Sequence, residues 1–260
     1  MKKILLIIII FTSVPFLFSD NVHPKFNINN EDFITILDDI SLKSRTIINK
    51  SKYDFLNSID IMLNNINVDL RLVDKNHRLQ SDYLAEGMVN LSDYDLHTRY
   101  KTMLFVKGAI NNFVKMSKDA EKSGIDLFIA STYRSYEYQS EIFTNMKNYH
   151  GEEKAATIVA YPGASQHQLG SAVDFGSITP SYANTEAGKW LLENGWKYGF
   201  TLSYPLGMEQ ITTYTWEPWH YRYIGPEAAI IQRKYFEDSQ QLFLVFWDKY
   251  SLFFKERHIQ

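Results

Sequence analysis

Four side chains in two short stretches have the types and spacing of a metal-dependent hydrolase. His167 and Asp174 share one stretch, and Glu217 precedes His220 in the other. A hydrolytic zinc takes three protein ligands and keeps a fourth position for water, and imidazole nitrogen and carboxylate oxygen both suit it. His167, Asp174 and His220 supply such a set for one zinc ion. Glu217 is then the candidate base, taking a proton from a water whose pKa the zinc lowers to about 7. The chain has no cysteine. That excludes disulfides, thiolate metal sites, a cysteine nucleophile and lipid attachment at an N-terminal Cys, so any metal is held by nitrogen and oxygen.

Each residue also has a plainer reading. A His and an Asp seven positions apart carry little information alone. Asp174 interrupts the apolar run from Ala172 to Phe175, and a carboxylate on a buried strand is costly unless a metal or a cation meets it. Arg134 could be that cation. Its planar fork equally suits the free carboxylate of a peptide C-terminus. On an ideal strand Glu217 and His220 would face opposite sides, so their convergence needs a kink or bulge, which Pro218 favours. Without it, Glu217 is a surface acid. Trp219, Tyr221 and Tyr223 read as core or pocket wall. His23, His77, His97, His150 and His258 lie outside both stretches and read as surface or structural.

The elements that must position these groups follow from periodicity. Apolar residues at Phe33, Leu37 and Ile40, then at Leu56, Ile59, Leu63 and Ile66, predict two amphipathic helices within a helical segment over 20–67. Such stripes bury a face, which favours packing on the main domain over a stalk. From Met103 to Met116 the spacing predicts a long core helix, with Gly124 at its C-terminal cap. Residues 125–132 predict a strand that delivers Arg134 at its end, ahead of a helix around 139–149. His167 falls on a turn-rich loop and Asp174 on a strand, with Gly170 between them where the backbone turns. A helix over 185–194 stops at Gly195, and strands follow to Gly225. The expectation is an α+β domain over 68–225, with a small antiparallel sheet and flanking helices. Terminal helices occupy 226–260.

Hydrophobic residues make up 45% and charged residues 22% of the chain, the composition of a packed globular protein. With 27 Lys and Arg against 30 Asp and Glu, no basic field exists to hold a nucleic acid. Lys2 and Lys3 precede an apolar run over 4–18 that predicts export, to a periplasm or cell envelope. Thr12, Ser13 and Pro15 interrupt the run, which favours a signal peptide over 1–19. Phe16 to Phe18 crowd the cleavage junction, which leaves a membrane tether as the other reading.

Three ordered stretches resemble the VanY-type D-alanyl-D-alanine carboxypeptidases, a family that includes L,D-carboxypeptidases. They are Ser131-Thr-Tyr-Arg134-Ser-Tyr-Glu-Tyr-Gln139, Pro162-Gly-Ala-Ser165-Gln-His167-Gln-Leu-Gly170-Ser-Ala-Val-Asp174 and Glu217-Pro-Trp-His220-Tyr-Arg-Tyr-Ile-Gly225. The resemblance implies a zinc held by His167, Asp174 and His220, Glu217 as base and Arg134 on the substrate carboxylate. It also implies Ser165 and Gln139 as further substrate contacts, and a peptidoglycan stem peptide as the partner. Thr132 departs from the glycine frequent at that place, and the aromatic tail beyond Gly225 is longer than the family leads one to expect. The expected activity is removal of a terminal D-alanine. An endopeptidase and a zinc-stabilised binding module without catalysis are the rivals, and Glu217 counts against the second, since a structural zinc site is closed and needs no base.

Overall fold

The computed structural model describes residues 21–259. The expected signal or anchor over 4–18 lies outside the described residues, among which no helix is long and apolar enough to cross a membrane. The chain opens with β1 (Asn21–His23), β2 (Phe26–Asn29), α1 (Asn30–Thr35), α2 (Leu42–Lys50) and α3 (Lys52–Asn65). Next come β3 (Met88–Asn90), β4 (Leu104–Val106), α4 (Ile110–Glu121), β5 (Ile129–Ser131), α5 (Tyr136–His150) and α6 (Glu152–Ile158). The second half holds β6 (Ala172–Phe175), α7 (Glu186–Asn194), β7 (Phe200–Leu202), α8 (Glu209–Thr212) and β8 (His220–Tyr223). Helices α9 (Pro226–Tyr235) and α10 (Gln240–Arg257) end it.

The expected α+β architecture is present. Four antiparallel strands run in the order β5-β6-β8-β7, with Asp174 opposite His220 and Val173 opposite Tyr221. Because side chains alternate across a strand, this register sorts the two inner strands by chemistry. Val173, Phe175, Tyr221 and Tyr223 join Phe113 of α4 in one buried cluster. Asp174 and His220 therefore project from the opposite face.

Several boundaries differ from the periodicity. The helix expected from Met103 begins only at Ile110, because residues 104–106 pair with β3, Val89 facing Phe105. The helix then buries Ile110, Phe113, Met116 and Ala120 as the spacing requires. The segment expected to stop at Gly195 continues as a short 3-10 turn and reverses at Gly199, whose φ is +86°. A Cβ there would lie 2.7 Å from the Gly225 carbonyl carbon. Much of 203–219, expected as strand, is irregular around α8.

The segment 20–67, expected as purely helical with two helices, holds the β1-β2 pair and three helices instead. Side-chain caps make the divisions: Asn29 Oδ1 accepts from the Asp32 amide and Ser41 Oγ from the Ser44 amide, so each ends what precedes it and starts a helix. These helices pack rather than form a stalk. Phe55 of α3 meets Tyr235, Phe246 and Phe254 at ring-centroid distances of 5.0, 6.0 and 6.3 Å. The two ends of the described chain also touch. Phe26 bridges to His258, the Ile259 amide donates to the Lys25 carbonyl at 2.8 Å, and His258 Nε2 lies 2.6 Å from Asp60 Oδ1. Phe55→Ala is expected to lower unfolding stability by about 3–5 kcal/mol, since a fully buried aromatic leaves a cavity. Urea denaturation measures it, and a loss under 1 kcal/mol would mean that the two ends do not share a core.

Candidate active site

His167 sits on a 3-10 turn, Gln166–Leu169, that Ser165 begins by accepting the His167 amide on its Oγ at 3.3 Å. The turn closes at Gly170, left-handed at φ +69°, where a Cβ would crowd Met88 Sδ at 3.1 Å and Ala85 Cβ at 3.2 Å. The imidazole is fixed from behind: Nδ1 lies 2.6 Å from the Thr132 carbonyl oxygen. A carbonyl only accepts, so Nδ1 carries the proton and Nε2 keeps a bare lone pair. That Nε2 is buried, has no hydrogen-bond partner and lies 3.2 Å from Asp174 Oδ2.

The strand register brings the other two groups to it. His220 Nδ1 is 2.9 Å from Asp174 Oδ1, while its Nε2 faces Gln166 Oε1 at 3.2 Å. One ligand atom from each of His167, Asp174 and His220 falls within 4.8 Å of the others, all three residues being buried. Desolvation, and then the Arg134 charge, lower the His167 pKa to about 4. Burial alone would raise the Asp174 carboxyl, but the two imidazoles hold it well below the usual carboxylate range. Neutral imidazole and ionised carboxylate are the forms that bind a metal. An orphaned lone pair, a carboxylate and outer acceptors on both rings fit a divalent cation in the manner of a zinc site.

Glu217 reaches the cluster by a route other than a kinked strand. Residues 217–220 form a tight turn in which the Glu217 carbonyl accepts the His220 amide at 3.1 Å, and β8 begins only at His220. The first and last residues of such a turn lie close together, and Glu217 Oε2 comes to 3.8 Å from His220 Nδ1. Among the described residues its carboxylate has no hydrogen bond, although its side chain is only 13% exposed. Burial first, and the Asp174 charge second, push its pKa up to about 8.

Arg134 lies beyond the end of β5, as the sequence places it. Its Nη2 donates to Asp174 Oδ2 at 3.1 Å and its Nη1 to Gln139 Oε1 at 3.0 Å. The ion pair and the metal cluster thus share Asp174, and the two readings of that carboxylate coexist. Gln139 is buried and spends its amide inside the protein, since Nε2 donates to the Ala160 carbonyl at 2.8 Å. Its oxygen holds Arg134, and the residue also lines the cavity that Arg134 faces. Ser165 lines the same cavity, of about 660 Å³, as Arg134, Glu217 and the three clustered groups. Met103, Ile142, Met146 and Ile178 make part of its wall apolar.

Three participants escaped the sequence reading. The Thr132 carbonyl orients His167, Gln166 contacts His220, and Tyr204 lies over the His220 ring at 5.0 Å and 30°. A backbone carbonyl has no residue signature. Gln166 stood beside His167 in the quoted stretch, but its neighbour concealed it.

The antiparallel sheet and this buried His-Asp-His cluster, with an acid and an arginine in one cavity, define a metallohydrolase class. Residues 103–226 match the family model of VanY, D-alanyl-D-alanine carboxypeptidase. The chain is 35% identical over 232 residues to the putative carboxypeptidase YodJ of Bacillus subtilis (strain 168), covering 84% of this chain and 81% of that protein. It is 33% identical over 175 residues to a D-alanyl-D-alanine carboxypeptidase of Enterococcus faecium, covering 65% and 55%. Among solved structures, the LdcB LD-carboxypeptidase superposes with a TM-score of 0.61 at 34% identity, over 67% of this chain and 84% of that one. A VanY D,D-pentapeptidase variant in complex with Zn(II) gives 0.57 at 30% identity, over 67% and 98%. The chain belongs to the VanY family of D-alanyl-D-alanine carboxypeptidases, and it is an enzyme of the carboxypeptidase class.

Proposed function

We propose that the protein removes a terminal D-alanine from peptidoglycan stem peptides, using one Zn2+ held by His167 Nε2, Asp174 and His220 Nδ1. The observation that carries the reading is Glu217: a half-buried carboxylate with no hydrogen bond among the described residues, 3.8 Å from a ligand atom. A purely structural metal site has no use for such a group. When bound, zinc supplies a Lewis acid that polarises the scissile carbonyl and eases deprotonation of water. Glu217 accepts the proton of that water on a carboxylate oxygen and returns it to the leaving amine. Arg134, two of whose five N–H donors are engaged by Gln139 and Asp174, turns the rest toward the terminal carboxylate and sets the last peptide bond over the cluster. Gln139 holds Arg134 in that pose, and Ser165 offers its hydroxyl proton to the substrate while its oxygen caps the turn. Export through residues 4–18 would place the enzyme in the cell envelope with its substrate, and the near-neutral charge balance gives no purchase to nucleic acid.

The likeness to an LD-carboxypeptidase supports a second reading for the bond cut, in which the residue before the terminal D-alanine belongs to an L,D rather than a D,D linkage. Synthetic pentapeptide and tetrapeptide stems, each as free acid and C-terminal amide, separate the readings when products are weighed by mass spectrometry. Free alanine is expected from one of the acids and from neither amide, and a chelator should stop its release. Fragments larger than alanine from cross-linked muropeptides would point to an endopeptidase, and unchanged substrates throughout would end the enzymatic proposal.

A further inference from the structure

We propose that Gln240, in the first turn of α10, is a positioning residue that orients Gln166 to accept the Nε2 proton of His220, the arrangement in which Nδ1 can hold the metal. The inference rests on the metal reading above and adds to it a residue from beyond the family match at 103–226.

The direction of the chain of hydrogen bonds is set at its far end. Gln240 Nε2 lies 3.2 Å from the Thr201 carbonyl oxygen and 2.8 Å from Thr201 Oγ1. A carbonyl cannot donate, so the amide nitrogen of Gln240 must face Thr201 and its oxygen must face away. That oxygen meets Gln166 Nε2 at 3.1 Å, which turns Gln166 Oε1 toward His220 Nε2 at 3.2 Å. Ser203 Oγ, which has one proton to give, lies 2.7 Å from the same Gln166 oxygen and 3.3 Å from Gln240 Oε1, and so is compatible with that orientation. Gln166 Oε1 is thereby set to accept a proton from His220 Nε2. Nδ1 faces another acceptor, the ionised Asp174 Oδ1 at 2.9 Å, so it gives its lone pair outward only when a metal replaces that contact.

Burial makes the arrangement strict. Gln240 is 1% exposed, Gln166 2% and Ser203 2%, so no water is free to substitute for a misdirected amide. His167 receives the equivalent constraint from the Thr132 carbonyl directly. The two rings present opposite nitrogens, and only His220 depends on a side chain from α10. Outer partners of this kind orient ligating histidines, and their loss typically weakens metal binding by about 10–100-fold.

The test uses the full chain. In zinc-loaded wild type labelled with 15N-histidine, His220 should show a protonated Nε2 and a metal-bound Nδ1; a ring bound through Nε2 would overturn the proposal with no variant needed. Gln240→Met, close in shape but without either polar end, should weaken zinc about 10-fold in a chelator competition and disturb the Nε2 signal of the loaded protein. Gln241→Met is the control, since Gln241 is the next residue of α10 but bonds Asp74 instead, at 2.8 Å. It should leave both readouts alone, and an equal loss there would reduce Gln240 to a general structural role. Adding Gln166→Glu to the Gln240 variant should restore zinc affinity, because a carboxylate accepts from Nε2 at either oxygen and needs no outer partner to orient it. Failure of that rescue, or zinc affinity within twofold of wild type in Gln240→Met, counts against the relay. These readouts need no turnover, so an enzyme that binds zinc but releases no alanine would sink the proposed activity and leave the relay standing.

Discussion

Glu217→Gln is expected to lower kcat/KM on the stem peptide by about 10²–10⁴-fold, the usual worth of a positioned general base. Zinc content should not change. The substitution keeps the shape of the side chain and its place in the turn that ends at His220, while removing the ability to take a proton from water. It also removes a carboxylate that burial and the neighbouring Asp174 hold at about 8 in the metal-free protein. A base works only when ionised, so wild-type kcat/KM should fall as pH drops through the Glu217 pKa. A bound dication stabilises the ionised form and moves that limb below 8. The variant should lose the limb together with the rate. Activity within tenfold of wild type would remove Glu217 from the chemistry, and a parallel loss of zinc would make it a ligand rather than a base.

His167→Ala should abolish turnover and weaken zinc by more than the ~10–100-fold that an outer partner commands, because it deletes the orphaned Nε2 at the centre of the cluster. The fold should survive. Arg134 still pairs with Asp174 at 3.1 Å, so the buried carboxylate is not stranded. Far-UV circular dichroism unchanged beside a lost metal signal is the expected result. Chelated wild type should behave in the same way and recover on zinc addition, whereas the variant should not. A variant that retained wild-type zinc affinity would show that the ion sits elsewhere.

Much of the centre was legible because burial and charge conflict there. An aspartate inside the apolar run from Ala172 to Phe175 announces that a metal or a cation must meet it, and in the folded chain Arg134 pairs with it while the His167 and His220 rings stand beside it as co-ligands. The Glu217 to His220 interval was legible as a requirement for convergence, though not in its form, since a tight turn and a kinked strand satisfy the same sequence. Gly170 could be read because a left-handed residue restricts the choice of side chain. What stayed hidden depends on distant partners. The pairing of Phe105 with Val89 overrides a helical period that continues smoothly through Met103. Gln240 reaches Gln166 across 74 positions, and no local pattern marks an amide whose meaning is the direction it faces. The β1-β2 pair at the start of the chain is short, and its partners at 258–259 lie at the other end.

That meeting of the two ends bears on how the protein comes to be folded. A core that includes Phe26 and Phe254 at once is complete only when segments from the two ends of the described chain have met. Closure over so long a loop is slow. Removing residues 254–259 would deprive the β1-β2 pair of Phe254 and His258, the two side chains it meets on α10 and just beyond it.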